Sequence, residues 1–202
     1  MKFTKKTTFV SFLLFTFSYL SFAQGGNHGT KVSLFYEQVR NFRQGYNLQS
    51  GGLQTEFFLG DDGLCSLGYN VSFGSHTRNN FTLHMPLGIY LAQYPLQGVG
   101  TGNGSWWIWG TLLCLIIPES VNFHIKLSNE FYVSPYIAPA GIDFWRDSSD
   151  FSVWEPTFAA GIRLNVIKDD KWSLSPFLGV KTHYSRMNWS EIQFGTMIGV
   201  GF

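Results

Sequence analysis

Apolar residues recur at every second position through most of this chain. In 64–74, for example, Cys65, Leu67, Tyr69, Val71 and Phe73 alternate with small or polar residues. A period of two places successive side chains on opposite faces, so it predicts β-strands with one apolar and one polar face. The same alternation runs through segments 80–91, 120–128, 157–166, 172–184 and 190–202.

Two all-β architectures satisfy this pattern. A soluble sandwich turns its apolar faces inward, whereas a membrane barrel turns them outward and lines its lumen with the polar faces. The polar faces here are rich in Gly, Ser, Thr and Asn, and only 13% of the residues are charged, against about 25% in soluble domains. The segments are long enough to cross a bilayer as tilted strands. Aromatic residues gather at strand ends as in an interfacial girdle, namely Trp145, Trp154, Trp172, Tyr184 and Trp189. We therefore predict an all-β, transmembrane, antiparallel up-and-down β-barrel.

The N-terminus has the composition of a secretory signal. Three lysines precede an apolar run from Phe9 to Leu20, and Ser21 and Ala23 are the small residues of a cleavage site. The prediction is a signal peptide over 1–23 and one barrel domain over 24–202. Loss of the three lysines lowers the net charge from +1 to −2, so no basic footprint for nucleic acid remains. Cys65 and Cys114 do not suggest a disulfide framework.

The final strand ends on Phe202, with Phe194, Thr196, Ile198 and Val200 in the same register. Together with the signal and the alternating strands, this end resembles the small, porin-like outer-membrane β-barrel proteins of Gram-negative bacteria, of the Bacteroidetes type. The resemblance implies an outer-membrane location, contact with outer-membrane lipids, and recognition of Phe202 by the barrel-assembly machinery. It also implies a monomer without a cofactor.

The sequence pattern does not fix the number of strands directly. Nine segments qualify, whereas single-chain bacterial barrels have an even number. The segment 31–40 also shows a helical stripe, and 106–117 lacks a polar face but has Ser105 and Pro118 as helix boundaries. We predict eight strands beginning near residue 46, with 24–45 not a full strand and a short interfacial helix at 106–117; ten strands is the alternative. Prolines within 131–144 leave its faces unassigned.

Several ionisable side chains fall on the predicted lumen faces. They are Glu56, His84, His124, Lys126, Arg163, Lys181 and His183. Because isolated charges in a narrow interior are costly, we expect Glu56 to pair with Arg163 or Lys181. No metal-ligand spacing is present, and no serine accompanies a histidine on a lipid-facing register, so the chain is not expected to be an enzyme.

Three functions follow from this interior and its surroundings. The first is a structural or passive small-solute channel role with a polar, largely filled lumen. The alternatives are a surface-binding or adhesion module acting through extracellular loops, and an outer-membrane lipid-modifying enzyme.

Overall fold

The computed structural model describes residues 29–41, 46–59, 63–76, 81–97, 112, 116–146, 152–168, 172–184 and 191–201. Its elements, in chain order, are β1 Thr30–Asn41, β2 Tyr46–Leu59, β3 Cys65–His76, β4 Phe81–Pro86, α1 Leu87–Gln97, β5 Ser120–Phe123, β6 Ile125–Lys126, β7 Phe131–Arg146, β8 Ser152–Lys168, β9 Trp172–His183 and β10 Glu191–Val200. The predicted signal peptide, Phe202 and most of the predicted helix at 106–117 lie outside the described residues.

The strands form a closed antiparallel barrel whose wall has eight strand positions, each filled by one strand or by several short strands in line. β1 closes it, because it pairs with β2 on one side and with β10 on the other, from Val32 opposite Val200 to Asn41 opposite Glu191. The prediction that 24–45 is not a full strand, and that the first strand begins near residue 46, is therefore wrong. The spacing of apolar residues in β1 suggested a helix because it includes Phe35 and Val39. These two side chains point into the barrel interior, where they replace the polar residues that strict alternation would place there.

One wall position is built from three pieces. β4 pairs with β3 at Ser72–Gly74, while β5 pairs with the same strand at Cys65–Gly68. On the other side β4, β5 and β6 all pair with β7. We call β4, β5 and β6 the composite strand. The segments 80–91 and 120–128 therefore share one position, which is how nine sequence segments give eight strands.

The chain leaves the composite strand after Pro86 and rejoins it at Glu119, whose N–H donates to the Gly68 carbonyl oxygen at 3.0 Å. The segment 80–91 does not remain extended to its end, since α1 begins at Leu87. This helix lies on the outside of the barrel: Ile142, in the outward register of β7, is only 2% exposed, and the Tyr90 ring lies 4.6 Å from that of Trp154. Within the described ranges no helix is long and apolar enough to cross a membrane.

Three of the prolines lie where the strand pairing is already irregular, whereas Pro135 lies in regular register opposite Ile162. Pro86 ends β4, and Pro139 falls inside a bulge of β7 between Ala138 and Gly141. Pro176 faces a gap in the pairing of β8 with β9, between Arg163 and Val166. Because proline supplies no N–H to the ladder, these are the positions that a barrel tolerates.

The barrel is apolar outside and polar inside. Leu34 is 67% exposed on the outer face, whereas the polar side chains of Ser66, Ser134 and Asp143 on the inner face are fully buried. In segments 64–74, 157–166 and 172–184, the apolar residues face outward and the polar residues face inward, as predicted. Trp145 is an exception to the predicted girdle, since it shares the inward register of Asp143 and its ring lies 5.1 Å from that of His183.

Candidate functional site

The interior carries two clusters of charged side chains, one toward each end of the barrel. We call the end where β1 begins and β10 finishes the proximal end, and the opposite end the distal end. The distal cluster surrounds the fully buried carboxylate of Asp143. This carboxylate accepts hydrogen bonds from His84 Nδ1 at 2.5 Å, Lys181 Nζ at 3.1 Å and His183 Nε2 at 3.2 Å.

His84 is held between two carboxylates. Its Nδ1 contacts Asp143, and its Nε2 lies 2.8 Å from Glu119 Oε1. Both ring nitrogens therefore face carboxylate oxygens, and neither is free to serve as a general base.

Glu119 joins the wall to the distal cluster. It follows the interruption of the composite strand, and its Oε2 accepts the backbone N–H of Asn70 at 2.8 Å. Asn70 lies in β3 between the stretches that pair with β4 and with β5. A strand backbone would normally accept this N–H, and a buried N–H without a partner is costly. The Glu119 side chain thus completes the ladder at the interruption while its other oxygen binds His84.

The proximal cluster surrounds Glu56. Its carboxylate is paired with Arg163 and lies 3.9 Å from Lys31 Nζ. Gln54 Nε2 also donates to it, at 3.1 Å. The guanidinium of Arg163 lies in addition over the Tyr136 ring, 5.6 Å from its centroid. The predicted pairing of Glu56 with Arg163 is confirmed, whereas Lys181 pairs with Asp143 instead.

A chain of neutral groups continues from the proximal cluster across the barrel. Lys31 Nζ donates to Asn165 Oδ1 at 3.4 Å, and Asn165 Nδ2 donates to Ser134 Oγ at 2.6 Å. His124 then lies between two hydroxyls, with Nδ1 2.8 Å from Ser134 Oγ and Nε2 2.9 Å from Ser66 Oγ. These contacts link β1, β8, β7 and β3, so they brace opposite walls.

Apolar side chains fill the space between the clusters. Phe35, Phe177 and Met197 pack together inside the barrel. Tyr136 extends over β8 and β9, where a Cβ atom at Gly161 or Gly179 would collide with its hydroxyl. The glycines on the inner faces therefore make room for aromatic side chains that cross the lumen.

A cavity of about 30 Å³ lies between the clusters. Its lining includes Glu37, His84, Glu119, Arg163 and Lys181, together with the aromatic side chains already described. A cavity of this volume is too small for a sugar or an amino acid, and it has room for about two water molecules.

The structure buries six of the seven residues predicted to line the lumen. His84, Lys181 and His183 lie in the distal cluster, and Glu56, Arg163 and His124 lie in or beside the proximal one. Lys126, the last residue of β6, is exposed instead. Its strand has almost ended there, so the alternation no longer determines where the side chain lies.

Sequence reasoning missed five further charged residues of the interior, of which Glu191 lies at the start of β10. Lys31 and Glu37 lie in β1, which had been interpreted as partly helical, and Asp143 lies in the segment whose faces were not assigned. Glu119 directly follows Pro118, the predicted helix boundary. The absence of any charged residue between His84 and Glu119 was the available signal that the chain departs from the alternating wall after β4.

No three His, Cys, Asp or Glu side chains of the described residues converge in an arrangement that could hold a metal ion. The clusters and their surroundings instead contain acids and bases in pairs. The buried acids are Glu37, Glu56, Glu119, Asp143 and Glu191, and the buried basic side chains facing them are Lys31, His84, Arg163, Lys181 and His183. Such a network can hold the walls together without any bound ion.

Comparison with known proteins yields structural neighbours only. No family model and no curated protein matches the sequence. Among solved structures, the chain is similar to Neisserial surface protein A, with a TM-score of 0.46 and 5% identity over 85% of this chain and 93% of that one. It is also similar to a de novo designed transmembrane β-barrel, with a TM-score of 0.40 and 11% identity over 84% of this chain and 93% of the other.

A third neighbour is Ail, the attachment invasion locus protein of Yersinia pestis, with a TM-score of 0.34 and 8% identity over 86% of this chain and 95% of that one. All three TM-scores are below 0.5. We therefore base the functional reasoning on the geometry of this chain alone.

Proposed function

We propose that this chain is an outer-membrane β-barrel with a filled lumen and a structural role, exported by its N-terminal segment and not acting as an enzyme. The observation that carries the proposal is the combination of an apolar outer face with an interior closed by ion pairs and aromatic side chains. Only an apolar environment such as lipid makes this polarity favourable, because the same outer face would be costly in water.

Passive passage of solutes is the less favoured form of the proposal. The side chains between the two clusters leave a cavity of about 30 Å³, and ions or sugars would have to displace buried charge pairs to pass. The porin-like resemblance therefore concerns the fold, and we do not propose that this barrel serves as a pore.

Binding through extracellular loops has little support. With the proximal end in the periplasm, the connections between neighbouring wall strands at the distal end are short, residues 42–45, 77–80, 147–151 and 185–190. Lipid chemistry also lacks a basis in the interior, because both ring nitrogens of His84 face carboxylates. We therefore advance neither alternative as a second function.

Conductance in planar lipid bilayers tests the proposal. The purified, folded protein is expected to insert without producing stepwise current. A variant with three interior aromatic side chains removed, Phe35→Ala, Tyr136→Ala and Phe177→Ala, should produce steps, which shows that insertion occurs and that the assay detects an open lumen. Stepwise current from the unmodified protein at comparable frequency would refute the filled lumen.

A further inference from the structure

The cavity between the two clusters is small and lined by polar groups. Its volume is about 30 Å³, and a buried water molecule needs roughly 10–15 Å³ on this measure. The cavity is therefore larger than one water and smaller than a metabolite. Truly empty cavities in proteins are lined by apolar side chains, whereas polar cavities of this size are hydrated.

Two oxygens at the cavity have no hydrogen-bond partner among the described residues. One is Ser120 Oγ, on a side chain only 3% exposed, and the other is Oδ1 of Asn70. A buried hydroxyl or amide oxygen without a partner is costly. Both residues line the cavity, so a molecule inside it could supply the missing donors.

Glu37 lies on the same cavity and is bound by neutral groups. Its carboxylate accepts hydrogen bonds from Ser50 Oγ at 2.7 Å and from Gln193 Nε2 at 2.5 Å. A buried carboxylate is stabilised much better by a cation than by neutral donors alone. Lys181 lines the same cavity and is bound to Asp143 on the distal side. A molecule that both donates and accepts could connect these two groups.

Charge balance determines the class of molecule. The lining of the cavity contains two acids, Glu37 and Glu119, and two basic side chains, Arg163 and Lys181. A free cation or anion in the cavity would therefore lack a compensating charge, and the lining offers donors as well as acceptors. The ligand must be neutral, small and able to donate and accept hydrogen bonds.

We propose that this cavity is a binding site for one or two ordered water molecules, which bridge Glu37 to Lys181 and donate to Ser120. The waters extend the hydrogen-bonded network of the distal cluster through Glu37 and Gln193 to Tyr136, whose ring lies under the guanidinium of Arg163 in the proximal cluster. The proposal depends on the side chains that fill the lumen and not on the cellular role. A negative result for the water site would therefore leave the proposed function untouched, and the reverse is also true.

A high-resolution crystal structure of the full chain under xenon pressure tests the site directly. The expected result is one or two water peaks within hydrogen-bond distance of Ser120, Glu37 or Lys181, and no xenon. A xenon atom, an ion or an empty cavity would each overturn the proposal, since xenon occupies dry cavities and an ion requires unbalanced charge.

A cavity-filling variant gives a second test, because the urea midpoint should fall if the cavity is hydrated and should not fall if it is dry. Ala159 lines the cavity, while Ala160, its neighbour in β8, faces outward. Ala159→Val should expel water and lower the urea midpoint relative to Ala160→Val, with the water peaks lost. An equal or higher midpoint would indicate a dry cavity and overturn the proposal.

Should Ala159→Val not fold, Ser120→Ala replaces it as the variant. It removes one oxygen and should cause the loss or displacement of the water bound there. Unchanged water positions in Ser120→Ala would contradict the role given to this hydroxyl.

Discussion

Replacement of Glu56 by glutamine tests whether the proximal cluster stabilises the barrel. The change preserves the size of the side chain and removes only its charge, so Arg163 and Lys31 lose their shared counterion. Both cations are almost fully buried. Removing one partner of a buried ion pair costs about 3–5 kcal/mol, because the remaining charge cannot return to water.

The loss should be visible as a shift of the urea unfolding midpoint. With a urea dependence of about 1–3 kcal/mol per M, a loss of this size lowers the midpoint by roughly 1 M or more. The measurement is reversible unfolding in lipid vesicles, followed by tryptophan fluorescence and by the heat-modifiable band on unboiled gels. The same chemical change at an exposed turn residue, Glu130→Gln, is the matched control and should stay within about 0.5 kcal/mol of the unmodified protein.

A double variant separates loss of the pair from general damage. Replacing Arg163 by methionine in the Glu56→Gln background removes one of the two cations that lost their counterion, so it should restore part of the stability. The coupling energy between the two substitutions should be about 0.5–3 kcal/mol. Equal midpoints for Glu56→Gln and Glu130→Gln would refute the inward placement of Glu56. A double variant less stable than the sum of the two single changes would refute the pairing.

Four further predictions follow from the wall and the chain ends. Gly161→Ala should lower the urea midpoint because its Cβ would collide with the β9 backbone and with an interior tyrosine. Gly51→Ala should not, because its outward-pointing Cβ would meet only the Phe35 carbonyl oxygen, at an ordinary contact distance of 3.5 Å. Deletion of Phe202 should reduce the heat-modifiable form in cells, and full assembly without it would count against its role as a signal. A nitroxide on Ile89→Cys, with both native cysteines replaced, should collide with oxygen more than with a water-soluble nickel complex; the reverse would place α1 in water. Mass spectrometry should find cleavage between Ala23 and Gln24, and a mature chain that retains 1–23 would disprove the signal.

The fold could be predicted from periodicity because the two faces of each strand meet different solvents. Lipid on one side and a polar lumen on the other select for strict alternation, and that selection is visible in β3, β8 and β9. β1 was misread because its inward face contains Phe35 and Val39 among its polar residues. A filled lumen needs such apolar side chains, and they blur the alternation where the interior is most densely packed.

The charged interior could be predicted only in part. His84, Arg163 and Lys181 were found because each lies in a regular strand, and alternation then determines its face. Asp143 follows the bulge of β7, where an irregular register shifts the parity, and so its position as the centre of the distal cluster required coordinates. Pairing across the barrel depends on strand order and tilt, which no local pattern records.

The interruption of the composite strand has a consequence for how the barrel forms. Pro86 and Glu119 meet the wall near one another, although about thirty residues separate them along the chain. Closing a loop of that length costs roughly 2 kcal/mol more entropy than closing a four-residue hairpin. β5 and β6 should therefore join the sheet after β4 during assembly. In the folded barrel, local opening of the strand pairing should occur first between β3 and β7. Amide hydrogen exchange would show this as faster exchange in β5 than in the uninterrupted hairpin of β8 and β9.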